Sequence, residues 1–242
     1  MDTSRIWRSV SGEGDPLLAL HPGGTDSRAM APLLENLPDL RWVVVDRPGH
    51  GRSPDVDGEW SFVDAADAVA AVLDELALPP AHVVGWSDGA IVGLHLALRR
   101  PDLVRSLVVG AGVFHHDGWR EGVLGGEPPE FLGDAYAELS PDGREHWPIV
   151  VAKAARLHET EPRLTADDLA RLDLPVLVVA GDDDEVRFEH LVAMYEALPD
   201  GELAILPRAT HGALVEKPDL LARLIRDLHH PDGNGVAPIR RR

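Results

Sequence analysis

Short apolar runs alternate with amphipathic segments along most of this chain. The apolar runs lie at residues 17–20, 41–46, 82–84, 103–110, 176–180 and 202–206, and residues 5–10 add a short edge strand. They are rich in valine and leucine, which is typical of strands buried on both faces of a sheet. Segments with helical spacing occupy residues 27–37, 62–76, 90–100, 188–198 and 218–228. Strands that alternate with helices indicate an α/β fold, a doubly wound and mostly parallel sheet with helices on both faces.

The alternation stops between residues 113 and 173. This segment has no clear buried strand, and its short helical patterns are broken by glycine and proline. A segment this long inside a compact domain is typically a lid or a binding insertion. We therefore predict a core formed by residues 1–112 and 174–229, a helical lid at 113–173 and a flexible tail at 230–242. The lid aromatics are predicted either to bind substrate or only to pack the lid onto the core: Phe114, Trp119, Phe131 and Trp147.

Composition narrows the class of protein. The chain has 242 residues, 44% hydrophobic and 26% charged, and contains no apolar run long enough to cross a membrane and no apolar signal segment at residues 1–10. It has no cysteine, which excludes disulfides, thiolate metal sites and a cysteine nucleophile. A net charge of −18 disfavours nucleic acid and anionic membranes as partners. We expect a cytoplasmic protein that acts on a small molecule, as a monomer or a homodimer.

A glycine-flanked serine follows the strand at 82–84. Residues 85–89 read Gly-Trp-Ser-Asp-Gly and lead directly into the helix predicted at 90–100. Glycines two residues before and after Ser87 let the backbone turn sharply, so that the hydroxyl projects freely. Unpaired N–H groups at the helix start favour an oxyanion there. The pattern predicts that Ser87 is a nucleophile, against the alternative of a glycine-rich turn with an incidental serine.

Two loops that follow earlier strands could add to the site. His-Pro-Gly-Gly at 21–24 follows the strand at 17–20, and its glycines let backbone N–H groups approach a ligand closely, as half of an oxyanion hole would require. An ordinary turn is the alternative. His50 lies in a loop rich in glycine and proline, which favours a turn histidine over a catalytic base.

A serine nucleophile needs a base and a third group that fixes the tautomer of that base. An acidic cluster at 182–185 follows the strand at 176–180, and His211 follows the strand at 202–206. Loops beyond the carboxyl ends of parallel strands converge on one crevice. Ser87, an acid of this cluster and His211 are therefore expected to meet there, in the chain order serine, acid, histidine.

These motifs resemble those of α/β-hydrolase fold enzymes over residues 5–229. The resemblance rests on segments 21–24, 46–53, 85–89, 181–184 and 210–212. It implies an α/β-hydrolase fold with a short helical lid. In that family the acid usually falls three residues after the glycine that ends the strand, which from Gly181 implies Asp184, with Asp183 as the alternative. The elbow and cap look like those of valacyclovir hydrolase-like and other small-ester hydrolases.

The resemblance also implies a role for each site residue. Ser87 is acylated, His211 acts as base and then as acid, and Asp184 orients His211. The backbone N–H groups of Gly23 and Asp88 form the oxyanion hole, and Gly24 belongs to the substrate site. Pro22 stands where the family usually has glycine, which weakens the assignment of Gly23. The Asp88 side chain either caps the helix that follows or pairs with a cationic group of the substrate, such as the amine of an amino-acid ester.

The predicted function is a serine hydrolase that cleaves a small carboxylic ester, with amino-acid esters, lactones and thioesters as variants. Carbon–carbon bond hydrolysis and cofactor-free perhydrolysis on the same triad stay open, as does a non-catalytic binding protein. No metal and no organic cofactor is predicted. His115 and His116 either lie in a solvated loop or contact the substrate, with their rings expected on different sides and a spacing that suits no metal site. The sequence shows no partner pattern for the other histidines, His146, His158, His190, His229 and His230.

Overall fold

A seven-stranded sheet forms the centre of the computed structural model, which describes residues 3–124 and 126–229. The strands are β1 (Arg8–Ser11), β2 (Pro16–Leu20), β3 (Arg41–Val45), β4 (Ala81–Trp86), β5 (Val104–Gly110), β6 (Val176–Asp183) and β7 (Gly201–Thr210). Their order across the sheet is β1-β3-β2-β4-β5-β6-β7, with β1 antiparallel to β3 and all other pairs parallel. The predicted α/β class with a mostly parallel sheet is confirmed.

Helices connect these strands. They are α1 (Ala31–Leu34), α2 (Phe62–Leu76), α3 (Asp88–Arg99), α4 (Glu130–Leu139), α5 (Trp147–Thr160), α6 (Ala166–Leu169), α7 (Phe188–Ala197), α8 (Ala213–Glu216) and α9 (Pro218–His229). None of the described helices combines the length and the apolar content that a membrane crossing requires. The helix predicted at 27–37 is wrong in its extent, because only a 3₁₀ turn at Ser27–Met30 and the four-residue α1 form there.

Alternate residues along the strands pack against different helices. Leu18 and Leu20 of β2 belong to a cluster with α2 and α3 on one face of the sheet. Leu17 and Ala19 belong to a second cluster with α1, α8 and α9 on the other face. Because successive side chains of a strand point to opposite faces, a strand covered on both sides must be apolar throughout. Each fully buried leucine contributes about 1.5–3 kcal/mol to the free energy of unfolding.

Residues 113–173 contribute α4, α5 and α6, and in their described part they add no strand to the sheet. Helix α6 begins with a capping box in which Thr165 and Asp168 bond reciprocally, as the sequence indicates. A single bridge between Trp119 and Val186 ties the segment to the loop after β6. Its role as a lid stays a prediction. The predicted tail, residues 230–242, lies outside the described residues.

Candidate active site

The turn between β4 and α3 holds Ser87 in an uncommon backbone conformation, with φ 53° and ψ −120°. The turn is tight enough to require both flanking glycines. A Cβ at Gly85 would lie 2.2 Å from the carbonyl oxygen of Gly89, and one at Gly89 would lie 2.1 Å from the carbonyl oxygen of Leu20. The backbone N–H of Ser87 donates to the carbonyl oxygen of Gly110 at 2.7 Å. The strained serine is therefore clamped between β4, β5 and its own helix.

Three side chains from three strand ends form a continuous hydrogen-bond chain. The Ser87 hydroxyl lies 3.0 Å from His211 Nε2, and His211 Nδ1 lies 2.9 Å from Asp184 Oδ1. A carboxylate only accepts, so Nδ1 carries the proton and Nε2 is free to accept from the serine. Trp86 Nε1 donates to the backbone carbonyl of His211 at 2.9 Å, which fixes the loop after β7. The arrangement suits proton transfer from the serine to the histidine.

Burial and hydrogen bonds shift the pKa values of Asp184 and His211. Burial raises the pKa of Asp184, but bonds from His211, Val186 N–H and Gly181 N–H outweigh it and hold that pKa below its usual range. Burial also lowers the pKa of His211, and the Asp184 carboxylate raises it to a net value above the ordinary one. A histidine with a raised pKa is a stronger base toward the serine proton.

The side chains of the acidic cluster at 182–185 differ in their exposure and in their contacts. The Asp184 side chain is 1% exposed, whereas that of Asp183 is 82% exposed and lies 3.7 Å from Arg120. Asp182 accepts from the backbone N–H of Ala209. Glu185, for which no separate role is predicted, lies 3.7 Å from His211 Nε2. The geometry thus favours Asp184 over Asp183 as the partner of His211.

Gly23 lies against the nucleophile turn. A Cβ at Gly23 would lie 2.3 Å from Asp88 Oδ2, so the loop after β2 meets the first residue of α3 directly. Within the described part of the chain, neither the N–H of Gly23 nor that of Asp88 donates a hydrogen bond. Gly23, Ser87 and Asp88 line the same cleft, and an oxyanion hole formed there by these two N–H groups stays a prediction.

A sequence model of the alpha/beta hydrolase family matches residues 17–224. The chain belongs to this family. It is a hydrolase with the seven-stranded core and the strand-to-helix turn described above.

Individual relatives span nearly the whole hydrolase. RutD of Azorhizobium caulinodans, whose name assigns it carbamate hydrolysis, is 27% identical over 91% of this chain and 93% of its own. A pimeloyl-[acyl-carrier protein] methyl ester esterase of Neisseria meningitidis serogroup A is 28% identical over 90% of this chain and 79% of its own. A meta-cleavage product hydrolase of Pseudomonas fluorescens superposes with a TM-score of 0.74 at 19% identity, covering 94% of this chain and 95% of that one, and shares the fold.

Ser87 opens into a cleft of about 1210 Å³, a volume that includes its open mouth. Trp119 lines this cleft and meets the His211 ring edge-on at 5.9 Å. The exposed Phe131 lies at its rim. Further apolar residues that the sequence did not single out complete the lining: Val123, Leu124, Leu132, Leu214 and Val215.

The other residues predicted for substrate do not line this cleft. Phe114 stacks on His190 with ring centres 4.2 Å apart. Trp147 packs on Tyr136, and its ring would lie 3.7 Å from a Cβ at Gly24. Both aromatic side chains thus pack within the 113–173 segment or onto the core, which was the alternative reading of the lid aromatics. The placement of Gly24, Phe114 and Trp147 corrects their assignment as cleft residues.

Asp88 has a partner that the sequence did not indicate. Its carboxylate lies 2.8 Å from His158 Nε2 of α5; the Asp88 side chain is buried and that of His158 is largely buried. The interpretation of Asp88 as a helix cap is wrong, because α3 begins at Asp88 itself and no side chain caps it. Burial raises the pKa of Asp88, but the charge and hydrogen bond of His158, together with the Arg47 and His50 charges, outweigh it and hold that pKa below its usual range. Burial lowers the pKa of His158, and Asp88 raises it above its ordinary value.

The remaining histidines are partnered in several ways. His50 is buried against Trp60, and burial lowers its pKa to about 4, which agrees with a structural turn histidine. His146 Nε2 bonds to the Asp55 carboxylate at 2.8 Å, a partner that no sequence pattern indicates. His190 Nε2 likewise accepts from the backbone N–H of Phe114 at 3.1 Å, and His229 stacks on His82.

The two adjacent histidines of the loop after β5 lie together. The rings of His115 and His116 stack at 4.4 Å, so the prediction that they point to different sides is wrong. Together with Asp117 they offer ligand atoms within 4.8 Å of one another, and among the described residues this group could hold a metal ion. It does not line the cleft at Ser87. That the protein works without a metal stays a prediction.

Proposed function

We propose that this hydrolase cleaves a carboxylic ester of a small molecule through an acyl-serine intermediate. The observation that carries the proposal is the chain from Ser87 Oγ to His211 to Asp184, with contacts of 3.0 and 2.9 Å, at the floor of a mainly apolar cleft. An apolar cleft with a few convergent polar groups suits a small organic substrate. The esterase relative, which covers most of this chain, supports an ester as the bond that is cleaved.

The reaction follows from this geometry in two halves. Ser87 Oγ attacks the ester carbonyl carbon while its proton passes to His211 Nε2, and the new oxyanion accepts from the N–H groups of Gly23 and Asp88. The intermediate collapses, the carbon–oxygen bond to the alcohol breaks, and His211 returns the proton to that alcohol. Water then attacks the acyl carbon, gives a proton to His211 and releases the acid, with the proton restored to Ser87. Asp184 keeps the tautomer and orientation of His211 throughout.

A carbamate is the second candidate substrate, favoured by the relative RutD, which covers 91% of this chain. Its carbonyl can be attacked by the same serine. The two candidates differ in the leaving group that His211 must protonate, so a common acyl or aryl portion with ester and carbamate linkages separates them. Only the shared fold supports carbon–carbon bond hydrolysis or perhydrolysis.

The test combines labelling with turnover. Wild-type protein and Ser87→Ala are treated with a fluorophosphonate probe and with p-nitrophenyl esters, methyl esters, lactones and carbamates. We expect wild type to be labelled at Ser87, and Ser87→Ala to lose labelling and about 10⁴- to 10⁶-fold in kcat. Ser11→Ala, at an exposed serine of β1, is the control and should match wild type.

Two results would contradict the proposal. Retention of a tenth of wild-type turnover by Ser87→Ala would exclude Ser87 as the nucleophile. A wild-type protein that is neither labelled nor active on any ester would favour a non-catalytic binding protein. The cytoplasmic location and the choice between monomer and homodimer stay predictions.

A further inference from the structure

A buried carboxylate beside an oxyanion hole is an electrostatic problem for catalysis. Asp88 directly follows the nucleophile, and its Oδ2 lies against Gly23, the residue across the proposed oxyanion hole. The side chain is 6% exposed, so water screens its charge poorly. A negative charge there opposes the negative charge that forms on the substrate oxygen, unless something compensates it.

The nearest positive group comes from the 113–173 segment. His158 of α5 places Nε2 2.8 Å from Asp88 Oδ1, and its side chain is 17% exposed. The phenyl ring of Phe62 lies near the imidazole, with ring centres 6.1 Å apart and the ring planes tilted by 40°. His158 also lines the cleft at Ser87, together with Asp88 and His211. The pair is thus a contact between α5 and the nucleophile turn, made within the cleft wall.

Other titratable groups of the described residues also lie near Asp88 and His158, but none of them bonds to the Asp88 carboxylate in the way that His158 does. The Arg47 guanidinium acts on both Asp88 and His158 through its charge, but it donates to the backbone carbonyls of His21 and Pro22 rather than to the carboxylate. His21 and His50 face Asp88 from the loops after β2 and β3, and burial lowers the pKa of each, so both are neutral near pH 7. His211, with Asp184 and Glu185 around it, faces Asp88 from the other side.

We propose that His158 is a positioning residue of the nucleophile turn, which as an imidazolium holds the Asp88 carboxylate and balances its charge while the oxyanion forms. The inference rests on the proposed function, because it concerns the same oxyanion. It assigns to α5 a part in catalysis that acts through Asp88 and not through direct chemistry. The Asp88 carboxylate raises the pKa of His158 above its ordinary value, which is the direction that an imidazolium requires.

We expect the loss of the His158 charge to lower kcat/KM, and the removal of the Asp88 charge to restore it. His158→Gln keeps a donor toward Asp88 but removes the positive charge, and we expect kcat/KM for an ester to fall about 10- to 100-fold, as for one unpaired charge a few ångströms from the reacting atom. Adding Asp88→Asn removes the charge that needed balancing. The double variant should therefore recover most of the lost rate. A purely structural bond predicts instead that the double variant is as slow as His158→Gln or slower.

The pH profile separates the charge from the packing. Wild-type kcat/KM should include a limb that falls as the pH rises through the pKa of His158, since deprotonation leaves Asp88 unbalanced. That limb should be absent from both His158→Gln and Asp88→Asn. The imidazole resonance of His158 in wild type should titrate above about pH 6.5, the ordinary value, and should move downward in Asp88→Asn.

His146→Gln is the matched control. It removes a histidine–aspartate bond of the same 2.8 Å length within the same segment, to Asp55 instead of Asp88. We expect its kcat/KM to stay within about twofold of wild type. Thermal unfolding of every variant reports loss of fold separately from loss of rate. An equal fall in both histidine variants would assign the effect to anchoring of the segment and overturn the inference.

Failure of the inference is distinguishable from failure of the proposed function. An inactive and unlabelled wild type would contradict the function. An active wild type whose rate and pH profile are unchanged in His158→Gln would contradict only the role of His158.

Discussion

Replacing Asp184 by asparagine tests the acid of the proposed triad most directly. The carboxylate lies 2.9 Å from His211 Nδ1, and its side chain is 1% exposed. When His211 gains the serine proton, it becomes a cation beside this anion. At an effective dielectric constant of about 20, two charges at this separation attract by about 4 to 6 kcal/mol. That energy corresponds to a fall of about 10³- to 10⁴-fold in kcat/KM when the charge is removed.

Asparagine at position 184 also affects which nitrogen of His211 carries the proton. An amide can present an N–H toward His211, which favours the tautomer with the proton on Nε2, the atom that must accept from Ser87. The loss should therefore appear in kcat more than in KM, since substrate contacts are unchanged. The assay is the rate of fluorophosphonate labelling and of p-nitrophenyl ester turnover, with thermal unfolding as the check on the bonds from Gly181 and Val186.

Asp183→Asn is the matched control, one residue away. Its carboxylate is 82% exposed and 3.7 Å from Arg120, so we expect less than a threefold change in kcat/KM. If Asp183→Asn proved the more damaging variant, the assignment of the acid would be off by one residue. If Asp184→Asn kept more than a tenth of the wild-type rate, the carboxylate would not have the role proposed for it.

The pH dependence and the cleft give two further predictions. The acylation rate of Ser87 should rise as the pH rises through the pKa of His211, which lies above the ordinary value, and Asp184→Asn should move this limb to lower pH; an unmoved limb would assign it to another group. Trp119→Ala should shift the ranking of acyl-chain lengths toward longer chains by about tenfold, while Trp147→Ala, whose ring lies outside the cleft, should scale all esters equally. Equal scaling in both variants would indicate lost stability alone.

The sheet and the meeting of Ser87, His211 and Asp184 were accessible from the sequence because their signals are local. Each strand is a short apolar run, and each of the three residues lies in the loop or turn that follows one. In a parallel sheet, that position alone brings the residues to the same edge. The family resemblance implied Asp184, with Asp183 as the alternative, and the two side chains differ in burial as the first assignment requires.

The contacts of the 113–173 segment were less accessible. Phe114 and Trp147 are large aromatic residues of the kind that line pockets, but each packs against a neighbouring ring. The periodicity of a segment does not show which of its side chains face the core and which face a cleft. His158 did carry a usable signal. Val150 and Leu157 mark the buried stripe of α5, and a residue eight positions after Val150 falls on the same stripe. A histidine there is directed inward and needs a polar partner.

The pair between Asp88 and His158 also bears on the substrate. A cationic substrate group could bind Asp88 only by displacing His158 from a 2.8 Å contact, and it would meet the Arg47 charge nearby. Breaking a buried ion pair leaves a charge unpaired, which typically costs about 3–5 kcal/mol. We therefore expect an amino-acid ester and its matched des-amino ester to have similar kcat/KM values. Asp88→Asn should change both by the same factor. A loss confined to the amino-acid ester would show that the ammonium group replaces His158, and would make amino-acid esters the substrate class.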